Sequence, residues 1–378
     1  MLTQRVVSAA LVGALATCDP AVGPGEGGEA VIVSSEEQHL RVVQVSDARI
    51  LARPAPAPPG AYGFARSLDS TIVYYAGSTT YQERQILALD VRSLKVLWNH
   101  RLADLEQRSH VTGVGLSYAT AITPSPDGTR LFVAQGYLDG VPGVAVLDGA
   151  TREPIDFIAP LAVPTDGMAL VPPSAVFPDG AIAITGSREQ GLGPKSGWVF
   201  FADPKTLALR DSVQLTRDVD SRSGGLGQVE LAPHGRVLYV AGPGALLRYD
   251  FTTRVTDSAR AVPGRLSIAA DGTVYTGDSG LWDRAPSTGL LFRYSADLST
   301  VDSIDLGEAA VDGFGPTVQD VAPSRDERIV YVLIGNARLG VGQFPGQPKR
   351  VLVVDVQRKA IAKSLPLGDW SGVTLFVR

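Results

Sequence analysis

Short apolar runs, separated by polar turn residues, recur from about residue 30 to the end of the chain. The runs are rich in Val, Ile, Leu and Tyr, and Pro, Asp and Gly cluster between them. Short apolar runs bounded by such turn residues are typical of buried β-strands, whereas helices need longer stretches with a period of 3.6 residues. The pattern therefore predicts an all-β chain.

A tight turn of similar sequence precedes a strongly apolar strand six times. It is clearest at Ser125-Pro126-Asp127-Gly128 and at Phe177-Pro178-Asp179-Gly180. Looser copies lie at residues 68–70, 232–235, 269–272 and 323–326. Proline presets the backbone of the first corner, and Asp-Gly supplies an acceptor and a permissive backbone. Each copy is expected to join the first two strands of a repeat.

An acidic residue closes a third strand in each repeat. These residues are Asp90, Asp148, Asp203, Asp250, Asp355 and, by a looser alignment, Asp297. They recur at a period of about 50 residues, which is room for four strands and their turns. A four-stranded sheet cannot bury both faces alone, so neighbouring repeats must stack around an axis. The repeats therefore predict a β-propeller with four-stranded antiparallel blades.

The two ends of the repeat region complement each other. Residues 30–33, 40–45 and 49–52 look like the second, third and fourth strands of a repeat without its first strand. Residues 373–377 look like a single strand without successors. Joining these ends would close the ring by a one-plus-three clasp, which removes exposed sheet edges. We expect seven blades, six continuous and one shared by the two ends.

The repeat motif resembles that of a known propeller family. The Pro-Asp-Gly turn, the apolar second strand and the Asp-terminated third strand are similar to those of the seven-bladed YVTN-repeat or quinoprotein-amine-dehydrogenase-β-chain-like propellers, which are WD40-like in architecture. The nearest matches to the Tyr-Val-Thr-Asn tetrad are Leu238-Tyr239-Val240-Ala241 and Val330-Tyr331-Val332-Leu333. The resemblance implies a fold over residues 30–378 but no particular activity, because propellers host many unrelated functions.

The first residues indicate export. Arg5 and the amino terminus are positive, and an apolar stretch from Val6 to Ala16 follows, which is too short to span a bilayer. We interpret residues 1–17 as a signal peptide of a bacterial secreted lipoprotein, Cys18 as the lipidated residue of a lipobox, and residues 18–29 as a flexible linker. Ordinary cleavage after Ala14-Leu15-Ala16 is the alternative. The prediction is an extracytoplasmic protein, in the periplasm or at the cell surface, anchored to the membrane only through Cys18.

One face of the ring is expected to carry the long loops. In an antiparallel blade, the loops between the second and third strands and the crossovers between blades share one face, and the longest polar segments fall in these places. Long loops on a rigid scaffold commonly carry recognition. The candidate ligand-binding residues there are His110, Tyr118, Asp166, Arg217, Gln228, Asp312, Gln319, Asp320 and Trp370. Solvated loop polarity would explain the same set without a ligand.

Composition and charge limit the kinds of partner that are expected. The chain has 378 residues, 19% of them charged, and a net charge of −5 without any run of Lys or Arg. Nucleic acid is therefore not expected as a partner. We predict no metal, cofactor or catalytic residue, and a non-catalytic module that binds a protein, a peptide or a small polar ligand. The alternative is a metal-assisted lactonase-like or lyase-like enzyme using the central channel, with Asp166, Asp312 or Asp320 as ligands and His110 as base.

Overall fold

Strands form every regular element in the described part of the chain. The structure, a computed structural model, describes residues 30–36, 39–44, 50–56, 61–66, 72–77, 85–90, 93, 95–101, 119–125, 127–135, 143–158, 165–171, 173–188, 195–206, 208–219, 229–242, 245–260, 263–278, 289–307, 316–324, 326–336, 348–366 and 372–377. Within these ranges the chain forms 28 strands. The all-β prediction is therefore confirmed.

The strands are numbered in chain order. The first fourteen are β1 Ala30–Glu36, β2 His39–Gln44, β3 Ile50–Pro56, β4 Ala61–Arg66, β5 Ile72–Gly77, β6 Gln85–Asp90, β7 Lys95–Arg101, β8 Ala119–Pro124, β9 Arg130–Gln135, β10 Gly143–Asp148, β11 Pro154–Ile158, β12 Thr165–Val171, β13 Ala181–Arg188 and β14 Lys195–Ala202. The remaining fourteen are β15 Leu209–Val219, β16 Val229–Leu231, β17 Val237–Gly242, β18 Ala245–Asp250, β19 Thr256–Arg260, β20 Pro263–Ile268, β21 Val274–Asp278, β22 Leu290–Tyr294, β23 Val301–Asp305, β24 Pro316–Pro323, β25 Ile329–Asn336, β26 Pro348–Asp355, β27 Ala360–Pro366 and β28 Gly372–Val377.

These strands pair into four-stranded antiparallel sheets. Six sheets each consist of four consecutive strands, and we number them blades 1 to 6: β4–β7, β8–β11, β12–β15, β16–β19, β20–β23 and β24–β27. One further sheet has the order β28-β1-β2-β3. We call it the mixed sheet because it combines β28 with the first three strands; all its pairings are antiparallel. In this sheet β28 pairs with β1 in an antiparallel register that places Val33 opposite Thr374. The prediction of a propeller with four-stranded antiparallel blades is confirmed for the six blades of consecutive strands.

The first strands of the sheets lie at the centre of the molecule. Contacts run from β4 to β8, and on through β12, β16, β20 and β24. β28 of the mixed sheet contacts both β24 and β4. The other strands of each blade follow outward from the first in chain order. The first strands therefore surround the axis, and any ligand in a central channel would meet them first.

The hydrophobic core lies between the blades. Each of five buried clusters joins two consecutive blades, from blades 1 and 2 through to blades 5 and 6. The cluster between blades 3 and 4 is rich in aromatic rings, and Phe201 packs there against Phe177 with ring centroids 4.9 Å apart and ring planes tilted by 36°. A blade thus buries its two faces against its two neighbours, as expected of a repeat that cannot bury them alone.

The recurrent aspartates hold the turns between third and fourth strands. Asp148 accepts hydrogen bonds from the backbone N–H groups of Ala150 and Thr151, at 2.8 and 2.7 Å. Bonds of this kind also form at Asp90, Asp203, Asp250 and Asp355. The carboxylate replaces a backbone acceptor and so fixes the turn.

The looser assignment of Asp297 was wrong in one respect. The third strand of blade 5 ends at Tyr294, so Asp297 lies inside the turn and does not close the strand. It accepts hydrogen bonds from the hydroxyls of Ser295 and Ser299 instead. The carboxylate of Asp297 therefore acts from inside the turn.

Basic residues in three of these turns reach back to the preceding blade. Arg254 binds Asp211, and Lys359 donates to Asp302 at 2.7 Å. Arg152 lies over the ring of Trp98, 4.6 Å from its centroid. Each cation has a positive φ, between 51° and 66°, and stands four residues after the strand-ending aspartate. Equivalent positions of the repeat therefore link neighbouring blades at the surface, where each contact is worth less than about 1 kcal/mol.

Acid is expected to destabilise the protein through these turns. The hydroxyl of Ser125 lowers the pKa of Asp127 to about 2, Arg210 lowers that of Asp179 to about 2, and Ser295 does the same for Asp297. A folded-state pKa below about 3.9, the usual value for an aspartate side chain, gives stability that is complete above that value. This stability is lost as the pH falls towards the folded pKa.

We therefore expect the thermal unfolding midpoint to decrease as the pH is lowered from about 4 to about 2. A triple variant, Asp127→Asn, Asp179→Asn and Asp297→Asn, should start lower at pH 7 and depend less on pH in this window. Because the three carboxylates are exposed, each contributes little and the triple variant is needed. An identical acid dependence in both proteins would contradict the assignment.

Candidate binding face

The two faces of the ring differ in the length of their connections. Because consecutive strands are antiparallel, loops between second and third strands leave a blade on the same face as the crossovers to the next blade. We call this the loop face and the opposite one the turn face. The four longest intervals between strands all connect strand ends at the loop face: residues 102–118, 279–289, 306–315 and 337–347. The predicted concentration of long segments on one face agrees with the strand bounds.

Three of the predicted site residues lie in first strands. Asp166 is in β12, next to its start on the loop face, and Gln319 and Asp320 are adjacent in β24. These strands belong to blades 3 and 6, so the residues share the inner wall of the ring but not one blade.

Arg217 is placed differently from the prediction. It was assigned to a crossover beginning at Thr216, but it lies inside β15, which continues to Val219. β15 remains paired with β14 as far as Lys195 opposite Val219, through register shifts that let the longer strand follow its partner. Arg217 is therefore a residue of a fourth strand, at the outer side of blade 3.

The other predicted site residues are His110, Tyr118, Gln228, Asp312 and Trp370, and they lie outside the described residues. Cys18 and the segments assigned as signal peptide and linker also lie outside them.

A β-bulge recurs in the first strands. In β4, β8, β12 and β24 one extra residue interrupts the pairing with the second strand: Tyr62, Thr120, Asp166 and Gln319 respectively. In β20 the interruption covers Gly264 and Arg265. Gly264 follows the pair Pro263–Asp278 as Tyr62 follows the pair Ala61–Gly77, so it is the equivalent bulge position. We call Tyr62, Thr120, Asp166, Gly264 and Gln319 the bulge ring.

The bulges stand at one level of the ring. In blade 2 the bulge faces Ala134 and Gln135, four and five residues after Arg130, which pairs with the strand-ending Asp148. In blade 6 it faces Leu333 and Ile334, at the same distance from Ile329, which pairs with Asp355. In blades 1 and 3 the bulge also faces the residues four and five positions after the start of the second strand, which begins at Ile72 and at Ala181. In blade 5 the irregularity of β20 lies opposite Gly277 of β21. Five inner strands therefore kink at the same depth, close to their loop-face ends.

Packing around the ring is tight at this level. A Cβ added at Gly277 in blade 5 would collide with the side chain of Val318 in the first strand of blade 6. Val318 is fully buried and directly precedes the bulge residue Gln319. The small residue in one blade thus allows the bulged strand of the next to approach closely.

Asp320 is the buried carboxylate of this region. Its relative exposure is 7%, and the backbone N–H of Val321 donates to its Oδ1 at 3.0 Å. The residue after the bulge is Gly63 in β4, Ala121 in β8 and Gly167 in β12. Blade 6 therefore carries a buried carboxylate where three other blades have a small residue.

The lowered carboxyl pKa values mark the turn face. Asp127, Asp179 and Asp326 lie in turns between first and second strands, Asp297 lies in a turn between third and fourth strands, and Asp148 ends the strand before such a turn. Hydrogen bonds from neighbouring turn residues or from Arg210 lower the pKa of each. These shifts have a structural cause, the closing of the turns, and they do not indicate catalysis.

No group of three or more His, Cys, Asp or Glu residues in the described part of the chain has the arrangement to hold a metal ion. In the same part of the chain, no helix is long and apolar enough to cross a membrane.

Comparison with known proteins adds no family. No family model matches the sequence, and no curated protein matches it. The resemblance to YVTN-repeat propellers therefore stays a prediction, and the strand topology alone carries the fold.

The bulge ring was only partly found from the sequence. Asp166 and Gln319 were predicted as site residues, whereas Tyr62, Thr120 and Gly264 were missed. A signal was present, because Tyr62-Gly63, Thr120-Ala121 and Asp166-Gly167 each place a side chain able to hydrogen-bond before a small residue near the start of a first strand. Strand periodicity does not show it, since a bulge changes the pairing partner and leaves the apolar pattern in place.

Proposed function

We propose that this chain is a closed ring of seven blades, held outside the cytoplasm by a lipid on Cys18, that binds a ligand on its loop face without catalysis. The anchor rests on the positive start, the short apolar stretch and the single cysteine. Labelled fatty acid should enter the full chain and not a Cys18→Ala variant; labelling of both would contradict the anchor.

The seventh blade in this proposal is the mixed sheet. Its strand β28 pairs with β1 over six residue pairs and contacts the first strands of blades 6 and 1. β3 of the same sheet contacts β7 of blade 1. These contacts support a position between the last and first continuous blades, where the sheet would close the ring as a clasp.

The binding function is carried by one observation: the longest connections between strands all join strand ends at the loop face. Short turns suffice to join antiparallel strands, so connections such as residues 102–118 and 337–347 exceed what the fold requires. Long loops on a rigid ring give a variable surface around a central opening, which suits recognition of a protein, a peptide or a small polar ligand.

Thermal-shift measurements on the purified chain test the binding face. The probes are peptides, small polar compounds and divalent metal ions, since a ligand that binds the folded state raises the unfolding midpoint by mass action. We expect at least one probe to raise it in the parent. The rise should be lost in His110→Ala, Asp312→Asn or Trp370→Ala, and kept in the control variants Lys205→Gln and Asp257→Asn. Loss of the rise in the controls alone would contradict the assignment of the face.

The buried carboxylate of Asp320 supports a second candidate, a metal-assisted lactonase-like or lyase-like enzyme. Asp320 lies on an inner strand, and a divalent cation in the channel would need further oxygen ligands beside its carboxylate. In that case a divalent metal alone should raise the unfolding midpoint, a chelator should reverse the rise, and Asp320→Asn should abolish it together with any lactone hydrolysis. A metal response that survives in Asp320→Asn would exclude this site.

A further inference from the structure

We propose that the outer edge of blade 4, strand β19, binds an extended segment of another protein, which adds to the sheet as a fifth strand and places an acidic residue opposite Arg260. This inference concerns the rim of the ring and goes beyond the proposed binding at the loop face. All residues of β19 except Ala259 are exposed.

Bulges interrupt most of the fourth strands, which form the outer edges of the sheets. In β3, β7, β11, β15 and β27 one extra residue breaks the pairing with the third strand, close to its turn-face end: Leu51, Leu97, Ile155, Arg210 and Ala362 respectively. A bulge twists an edge and so hinders pairing with another strand. In the described part of the chain, only β19 and β23 are fourth strands with uninterrupted pairing.

The edge of β23 is closed by a side chain instead. The N–H of Ser303 donates to Asp302 Oδ1 at 2.9 Å, and Lys359 of blade 6 holds this carboxylate at 2.7 Å. The same pairing occurs in β15, where the N–H of Ser212 donates to Asp211 at 2.8 Å. The carboxylate thus occupies a backbone donor that an added strand would need.

The third Asp-Ser pair, Asp257-Ser258 in β19, is arranged differently. In the neighbouring turn of blade 5 the residue with positive φ is Leu298, which brings no cation. Asp257 accepts from Arg248 Nη1 at 2.8 Å instead, and no described side chain accepts the N–H of Ser258. Within the described residues, β19 is therefore the one fourth strand with neither a bulge nor a capped N–H.

The phase of the strand ladder shows which backbone groups of β19 point outward. The N–H of Asp250 donates to the carbonyl of Val255 at 3.1 Å. Hydrogen-bonded and non-hydrogen-bonded pairs alternate along an antiparallel ladder, so Thr256, Ser258 and Arg260 turn their N–H groups away from β18. An added strand would meet these donors without displacing any bond of the blade.

The shape of the edge favours an extended segment over a second copy of the chain. β19 has five residues and is about 17 Å long, and blades 3 and 5 stand beside it around the ring. Two such rims would touch only along this strand, whereas a stable interface between folded proteins buries at least about 1,200 Å². An extended peptide needs only the edge, because main-chain hydrogen bonds supply its affinity.

Charge selects the segment. Asp257 is paired with Arg248, whereas Arg260 is exposed and has no ion pair with a described carboxylate. The hydroxyl of Tyr294 donates to the Arg260 carbonyl at 3.3 Å, which holds the backbone at this end of the strand. Opposite charges in directly facing positions stabilise a pair of antiparallel strands, and like charges destabilise it. A partner strand with Glu or Asp opposite Arg260 therefore fits best.

Fluorescence anisotropy of labelled peptides with the purified chain tests the proposal. In antiparallel pairing, the first residue of Glu-Val-Thr-Val-Thr lies opposite Arg260 and the last opposite Thr256. We expect this peptide to bind saturably, and Lys-Val-Thr-Val-Thr to bind about fivefold more weakly or less. In Arg260→Glu the preference should reverse in favour of the lysine peptide.

Proline variants test the edge itself. Ser258→Pro removes an outward N–H and no ladder bond, so the protein should stay folded in thermal unfolding and bind the glutamate peptide about tenfold more weakly or less. The matched control is Ser364→Pro in the bulged β27. Like Ser258, Ser364 is exposed and pairs with the residue three positions before the strand-ending aspartate. Ser364→Pro should bind within about twofold of the parent.

The outcomes separate this inference from the proposed function. Equal binding by the parent and Ser258→Pro, or no binding of either peptide, would overturn the β19 site and leave the loop face untouched. Equal binding of the two peptides would overturn the acidic partner. A dimer in analytical ultracentrifugation that Ser258→Pro abolishes would replace the partner segment by a second copy of the chain. A peptide whose binding is lost in His110→Ala and kept in Ser258→Pro belongs to the loop face.

Discussion

Replacement of Phe201 by alanine is expected to lower the free energy of unfolding by about 3–5 kcal/mol, the usual cost of removing a buried phenyl ring. Phe201 is fully buried between blades 3 and 4. Its ring lies 4.9 Å from that of Phe177, 5.8 Å from that of Phe251 and 6.2 Å from that of Tyr249, centroid to centroid. The cavity would open inside an interface between two blades, and the surrounding rings cannot all move into it.

Urea denaturation followed by fluorescence measures this loss. Phe201→Leu retains part of the packed volume and should cost clearly less than Phe201→Ala. Leu209→Ala, at an apolar residue of the same blade with 45% exposure, should change stability by no more than about 0.5 kcal/mol. A loss below about 1 kcal/mol for Phe201→Ala would mean that the ring contributes little to the blade interface.

Much of the blade structure could be predicted because its signals are local. Asp148 closes a strand and then binds two backbone N–H groups within three residues, so the residue type and its place in the repeat suffice to assign the turn. The Ser-x-Asp-Gly turn is equally local: Ser125 donates to Asp127 at 2.6 Å, and Gly128 takes the positive φ of 68° that glycine accepts at low cost. Asp297 was misaligned because Ser295 stands where the other repeats have the strand-ending aspartate.

The candidate site was harder to predict because its geometry depends on pairing between strands. Nothing near Gln319 in the sequence shows that it is the extra residue of a bulge, since this depends on the partner residues Leu333 and Ile334. Arg217 was assigned to a loop because polar residues follow it, whereas its strand continues along β14. Local patterns therefore locate strands and turns, and the residues that line the ring emerge only from the register between strands.

Removal of β28 is expected to have the largest effect on the fold. If the mixed sheet is the seventh blade, a chain ending at residue 371 loses the first strand of that blade and its contacts with β24 and β4. It would also expose β1 as an unpaired edge, which favours aggregation. We expect a broad, early unfolding transition and a soluble yield well below that of the parent. A shortened chain with the parent's midpoint would contradict the clasp.

A cross-link tests the same pairing in the opposite direction. Val33 and Thr374 are direct partners in the antiparallel register, and such partners have Cα atoms about 4.5–5.5 Å apart, within the range that a disulfide spans. With Cys18→Ser removing the only native cysteine, Val33→Cys and Thr374→Cys should form an intramolecular disulfide that stabilises the oxidised protein by about 2–4 kcal/mol over its reduced form. The control pair, Val33→Cys with Val377→Cys, is three residues out of register, roughly 10 Å along the strand, and should stay reduced. Since only adjacent termini can form the first bridge within one molecule, a bridge found only between two molecules would exclude a ring closed by β28.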